Sequence, residues 1–187
     1  RTMIIRPAIV IAAYNRPHSF SRLLLSVAGA DYSLHDDIPL VISIDGGGGA
    51  DVVKIANDFE WNLGEKKVIY HSHNLGLREH ILRCGDLTAK YEAIIMLEDD
   101  TVVSPAFYKY ASAMNSFYGG DETIAQVSLY AYEYSELDLA RFHPLSDGHD
   151  VYFMQWASSW GQMWNSRQWS GFRVWFAEHL NEDLSRT

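Results

Sequence analysis

This 187-residue sequence predicts an α/β fold: a mostly parallel sheet with helices on both faces. Two observations carry the prediction. Short runs of branched apolar residues alternate with segments whose apolar residues recur at helical spacing, in the order β-α-β-α-β-α-β-α as far as Phe117. The apolar runs are also continuous, without polar alternation, as in strands buried on both sides.

The first strand is AIVIAA over 8–13, broken by Tyr14-Asn15-Arg16-Pro17. Phe20, Leu23, Leu24 and Val27 then mark a helix that runs up to Gly29. Leu40 to Ile44 is the second strand, stopped by Asp45 and a run of glycines. Val52, Ile55, Ala56 and Phe59 give the next helical stripe, and Lys67 to Tyr70 the third strand. After the loop from His71 to Gly76, a helix through Ile81 and Leu82 is expected to reach Lys90. Ala93 to Leu97 is the fourth strand, running directly into Glu98-Asp99-Asp100. Pro105 suits a first helical turn, and Phe107 to Phe117 reads as helix. Beyond Gly120 a strand is expected over 124–130, an irregular polar loop over 131–150, and a return to the sheet over 151–154. Asn165 or Ser166 caps a last helix that carries Trp169, Phe172 and Phe176.

The hydrophobic fraction of 48% and charged fraction of 21% are those of a folded domain. The longest apolar run is far too short to cross a bilayer, and no signal-peptide pattern opens the chain. A net charge of −9 argues against a nucleic-acid partner, which needs a basic face. It does not exclude a nucleotide, because a metal ion can join carboxylates to a pyrophosphate. Cys84 is the only cysteine, which rules out an intrachain disulfide or a cysteine zinc site and favours a reducing, cytoplasmic setting. Peripheral association with a membrane surface stays open.

Ligands of open parallel sheets bind beyond the carboxyl ends of the strands. Tyr14-Asn15-Arg16, Asp45 with its glycines, the loop from His71 to Arg78, and Glu98-Asp99-Asp100 should therefore share one rim. The acidic triplet is the strongest signal. Adjacent carboxylates repel, and a hard divalent cation, Mn²⁺ or Mg²⁺, removes that cost and can bridge to a diphosphate. Asp45 has the chemistry to accept from a nucleobase imide or a ribose hydroxyl, and its glycines permit close backbone approach. The glycine run matches neither a Walker loop nor a dinucleotide fingerprint. Arg78 is a candidate for the base or the phosphates. His71, His73 and His80 read as satisfied loop histidines more readily than as metal ligands. The tryptophans Trp156, Trp160, Trp164, Trp169 and Trp175 suit either packed core or a wall that faces a sugar.

The segments PAIVIAAYNRP, VISIDGG, HNLGLREHI, AIIMLEDDTVVSPAFYKY and SSWGQMWNSRQW together resemble the GT-A glycosyltransferases, in particular the inverting family 2 enzymes and the N-acetylglucosaminyltransferase I type. The resemblance implies a Rossmann-like GT-A fold formed by a single domain over 1–187, short at its C-terminal end. It implies a transferase that moves a sugar from a UDP-sugar, UDP-N-acetylglucosamine being the guess, to a glycan, lipid-linked or protein acceptor. Asp100 corresponds to the metal ligand of the DXD strand. Asp99 corresponds to the residue approaching the ribose or donor sugar, and Glu98 to the acidic position contacting the nucleotide-sugar. Asp45 matches the carboxylate that pairs with uracil, and Arg78 a basic residue near it. Ala12, Tyr14 and Arg16 match the first-strand loop that lines the nucleotide. Trp160 and Gly161 belong to a segment on the acceptor side, where Gln162 replaces a second tryptophan. Glu182 and Asp183 stand where relatives carry the general base. The rivals are a non-catalytic nucleotide-sugar-binding or interaction module and a sugar-nucleotidyltransferase, whose glycine-rich phosphate loop the segment AAYNRPHSF lacks.

Overall fold

The first apolar run, Ala8–Ala13, forms β1 and is buried at every position. It pairs in parallel with β2 (Leu40–Ile44) on one side and β4 (Ala93–Glu98) on the other. The computed structural model describes residues 6–135, 139–155, 157–180 and 182. β3 (Lys66–Tyr70) pairs in parallel outside β2 and is only half covered, as an edge strand must be. Lys66 turns this exposure to use. Its ammonium donates to the carbonyls of Ala56 and Asn57 at 3.0 and 2.9 Å, at the C-terminal end of α2 (Ala50–Asp58), where a cation complements the helix dipole.

Strand side chains alternate between the faces, so the sheet has two apolar cores. Ile9, Ile11 and Ala13 pack under α1 (Pro17–Ala28), α2 and α5 (Phe107–Tyr118). Ala8, Val10 and Ala12 pack under α3 (Leu77–Gly85) and α6 (Ser166–Glu178). The α1 stripe of Phe20, Leu23, Leu24 and Val27 is buried as its spacing predicts.

The sheet order is β3-β2-β1-β4-β6-β5. β6 (Gln162–Asn165) runs antiparallel to β4, with Ala93 opposite Asn165 and Met96 opposite Gln162. β5 (Val127–Ser128) closes the edge. Asn165 then caps α6 in a reciprocal capping box: its side chain accepts from the Gln168 amide at 3.0 Å, and the Gln168 side chain accepts from its amide at 3.1 Å. The Asn165 carboxamide also donates to Asn115 and to the Gly119 carbonyl, tying α6 to the end of α5.

The second half departs from the sequence expectation in several places. The expected strand over 124–130 shrinks to Val127–Ser128, and 151–154 stays outside the sheet. β6, within the tryptophan-rich segment, takes the place next to β4 instead. The helix expected to reach Lys90 stops at Gly85, and α4 (Thr88–Tyr91) follows a tight turn. Trp169 packs at the break. Its ring lies against Gly85, where a Cβ would overlap it, and its indole N–H donates to Asp86 at 2.8 Å. Trp164 and Trp169 are buried edge to face, 5.2 Å between centroids, so these two belong to the core.

Ser43, on β2, sits between two histidines: its hydroxyl lies 2.8 Å from His80 Nε2 and 3.0 Å from His71 Nε2. The satisfied reading holds for both, although His80 lies on α3 and not in the loop. Burial lowers both imidazole pKa values, at His80 against the pull of Asp45. Burial also pushes the Cys84 thiol up to about 12, leaving it unreactive.

Two outcomes are expected. Gly85→Ala forces the Trp169 ring out of its seat and costs about 1–3 kcal/mol, read from chemical denaturation. Because His80 and His71 resist protonation when folded, the unfolded chain takes up protons first. Stability therefore falls as pH drops below their ordinary value of 6.5. The denaturation midpoint should decline in that direction, with a shallower slope in His80→Gln.

Candidate functional site

Parallel pairing puts the carboxyl ends of β1 to β4 along one edge, and the loops after them meet there. The ladder continues past the strands: the Asp99 amide donates to the Ala12 carbonyl at 3.1 Å, and the Asp45 amide to Ala13 at 3.0 Å. The next contact is between side chain and main chain. The Tyr14 amide donates to Asp99 Oδ2 at 3.0 Å. Arg16, just before α1, then reaches both aspartates, at 3.4 Å to Asp99 Oδ1 and closer to Asp100 Oδ2. The structure thus brings Ala12, Tyr14, Arg16, Asp99 and Asp100 together.

The three carboxylates occupy different environments. The Asp99 side chain is 8% exposed and that of Asp100 is 48% exposed. Burial raises the Asp99 pKa, against the lowering effect of the Tyr14 amide and Arg16. Glu98 is half-buried, and burial followed by the charges of Asp100 and Asp99 raises its pKa. The neighbouring carboxylates add to the effect of burial at Glu98 and Asp99, and Arg16 offsets part of it.

Asp45, 5% exposed, is a fastening point. Its Oδ1 accepts from the amides of Gly46 and Leu75, both at 2.8 Å, and its Oδ2 from Gly76 at 3.2 Å. Burial alone would raise its pKa; these amides and His80 outweigh it and hold the carboxylate below its ordinary range. The glycines after it admit other loops: a Cβ at Gly46 would overlap the His73 backbone, and one at Gly48 would lie 2.5 Å from the Tyr14 carbonyl. The close approach these glycines permit is thus at least partly between loops of the protein itself. Arg78, in the first turn of α3, is exposed on the lip of a groove that includes Phe176 and Leu180.

On the other side of the triplet lies a cleft of about 340 Å³ between Thr101–Ser104, Tyr110, Leu129 and Trp160-Gly161. Trp160 is 56% exposed and meets Tyr130 edge to face at 4.7 Å. Gly161 adopts φ +81, beside Leu129. Gln162, in place of a second tryptophan, accepts the Trp164 indole N–H at 2.8 Å. The tryptophans therefore divide: Trp164 and Trp169 build core, while Trp160 lines the cleft. Trp156 lies outside the described residues.

Helix α6 leads back from the far edge to the strand-end rim, where Phe176 and Leu180 line the groove with Leu75 and Leu77. Glu182 follows, exposed to solvent. Asp183 lies outside the described residues.

Among the described residues, no group of three or more His, Cys, Asp or Glu side chains is arranged to hold a metal ion. The chemistry still fits a divalent cation that shares its shell with a ligand. Mg²⁺-type sites use one or two carboxylates plus substrate phosphates and water, and Asp100 is open to solvent with only its Oδ2 engaged, by Arg16.

What composition and motif spacing did not disclose is the pairing of Arg16 and the Tyr14 amide with the aspartates, or the use of Asp45 to hold Leu75 and Gly76. The signal was present in the strand order. Parallel neighbours with Ala12 opposite Glu98 bring the following turns into contact.

Comparison with known proteins agrees with this architecture. The chain is similar to Staphylococcus aureus TarS, residues 1–349, with a TM-score of 0.51 and 18% identity over 61% of this chain and 33% of that one. TarS crystallised with UDP-GlcNAc aligns at a TM-score of 0.49 and 18% identity, over 60% and 32%. The mannosyltransferase PcManGT from Pyrobaculum calidifontis, in complex with GDP-Man and Mn²⁺, aligns at 0.48 and 12% identity, over 66% and 35%. The chain spans about a third of the length of these structures. No curated protein sequence matches it. The family model for glycosyl transferase family 2 matches residues 8–169, from the first residue of β1 into α6, and the chain belongs to that family.

Proposed function

We propose that this chain is the donor-binding core of a metal-dependent, inverting glycosyltransferase that moves a sugar from a UDP-sugar to a glycan, lipid-linked or protein acceptor. The observation that carries the reading is the acidic turn at the end of β4. Asp99 is buried and fixed by the Tyr14 amide, while Asp100 stands open to solvent with a cation already beside it. Family membership supports the reaction class. UDP-N-acetylglucosamine is the first donor to try.

In this reading each residue has a distinct task. Asp45 and the loop it holds form the seat of the base, with Arg78 at its border. Ala12 and Tyr14 line the nucleotide, Asp99 meets the ribose or donor sugar, and Glu98 contacts the nucleotide-sugar. Asp100 would hold Mn²⁺ or Mg²⁺, which would supply Lewis-acid stabilisation to the departing diphosphate. Trp160 and Gly161, at the adjoining cleft, face the acceptor. The acceptor hydroxyl attacks the anomeric carbon from the side opposite the diphosphate and yields its proton to a carboxylate, with Asp183 and Glu182 as the candidates. No helix among the described residues is long and apolar enough to cross a membrane.

Asp100→Ala is expected to unfold at a temperature close to that of the parent protein and to lose transfer, with Mn²⁺-dependent UDP binding weakened on the order of 100-fold. Near-normal transfer in that variant rejects the metal-ligand role. Calorimetric titration with a panel of nucleotide-sugars should show a UDP-sugar binding only when Mn²⁺ is present. If no nucleotide-sugar binds with or without the ion, the donor-site reading fails. Binding without transfer or donor hydrolysis would instead mark a non-catalytic module.

A further inference from the structure

Arg16 combines two features that bear on how the site is loaded. It stands just before α1, anchored in the chain beside Pro17, and its guanidinium is the only Lys or Arg group paired with the triplet among the described residues. The pair with Asp100 is open, with side-chain exposures of 58% and 48%. Asp99, in contrast, has the Tyr14 amide as a second donor and keeps a partner if Arg16 leaves. The arrangement lets Arg16 exchange partners without disturbing the core.

We propose that Arg16 is an internal counter-ion that holds the place of the metal in the free protein and exchanges with it on loading. The inference rests on the donor-site reading above. Arginine stays protonated at any working pH, so it cannot yield Asp100 by losing its charge; it has to move. A guanidinium and a divalent cation on one carboxylate repel each other, which makes the ion alone a weak competitor. A nucleoside diphosphate changes the balance, because its oxygens receive both cations: the ion at Asp100 and the released guanidinium, still tethered at the start of α1. Metal and nucleotide then bind synergistically, each strengthening the other by the same factor, and Arg16 is the positioning residue that couples them.

The test is titration of Mn²⁺, followed by electron paramagnetic resonance of the free ion, into the parent protein, Arg16→Met, Arg16→Lys and Asp100→Asn, with and without UDP. Without UDP, Arg16→Met is expected to bind Mn²⁺ about tenfold more tightly than the parent, Arg16→Lys to resemble the parent, and Asp100→Asn to lose binding. UDP should tighten Mn²⁺ binding strongly in the parent and much less in Arg16→Met. Thermal unfolding gives a second readout: Mn²⁺ alone should raise the Tm of Arg16→Met more than that of the parent. If Arg16→Met does not fold, Arg16→Gln removes the same charge and carries the same expectation. Unchanged or weaker Mn²⁺ binding in the neutral variant, with parent protein that binds Mn²⁺ and UDP together, overturns the exchange and leaves the donor site standing. Parent protein that binds neither overturns both.

Discussion

The parallel pairing of β1 with β4, Ala12 opposite Glu98, is the constraint on which the rim depends. Both strands are buried on both faces, so their register is held by packing on two sides as well as by the ladder. With that register set, the turn after β1 and the acidic turn after β4 meet directly. The Tyr14 amide and the Arg16 side chain then face Asp99 and Asp100. Slipping either strand by one residue would exchange its two core faces and separate these partners.

The edge they form combines two ways of holding negative charge. Asp45 is stabilised in its charged form by main-chain amides from its own turn and from Leu75 and Gly76, bonds that each contribute about 1.5–3 kcal/mol when the acceptor is charged. It is consequently part of the framework, and it shapes the neighbouring loop while leaving little capacity unused. The triplet is treated differently. Asp99 is buried, Glu98 half-buried and Asp100 open, so the charge is graded from interior to solvent. Arg16 stands at the open end of that gradient.

A third element comes from the reversal of chain direction. β6 runs against β4, so its first residues, beside Trp160 and Gly161, lie at the same edge as the carboxyl ends of the parallel strands. The capping box at Asn165 turns the chain at the far edge, and α6 carries it back toward the loop of Leu75. One antiparallel strand thereby adds both an aromatic wall and the C-terminal segment to a rim that parallel strands alone would leave open on that side.

The sequence by itself determined the first four strands, the first two helices between them and the shared position of Tyr14, Arg16, Asp45 and the acidic triplet. Continuous apolar runs and helical stripes are local signals, and the rule for parallel sheets converts strand ends into one edge. It also placed a helix start at Asn165 or Ser166, because capping chemistry is local, and the structure puts the cap on Asn165. Only the tertiary structure decided that Gln162–Asn165 and not 151–154 joins β4, that Gly85 ends a helix under the Trp169 ring, and that Arg16 rather than a distant basic residue meets the aspartates. Those outcomes depend on which segments compete for one strand edge, one gap in the core and one pair of charges, and such competition is settled by packing in space, where periodicity along the chain carries no information.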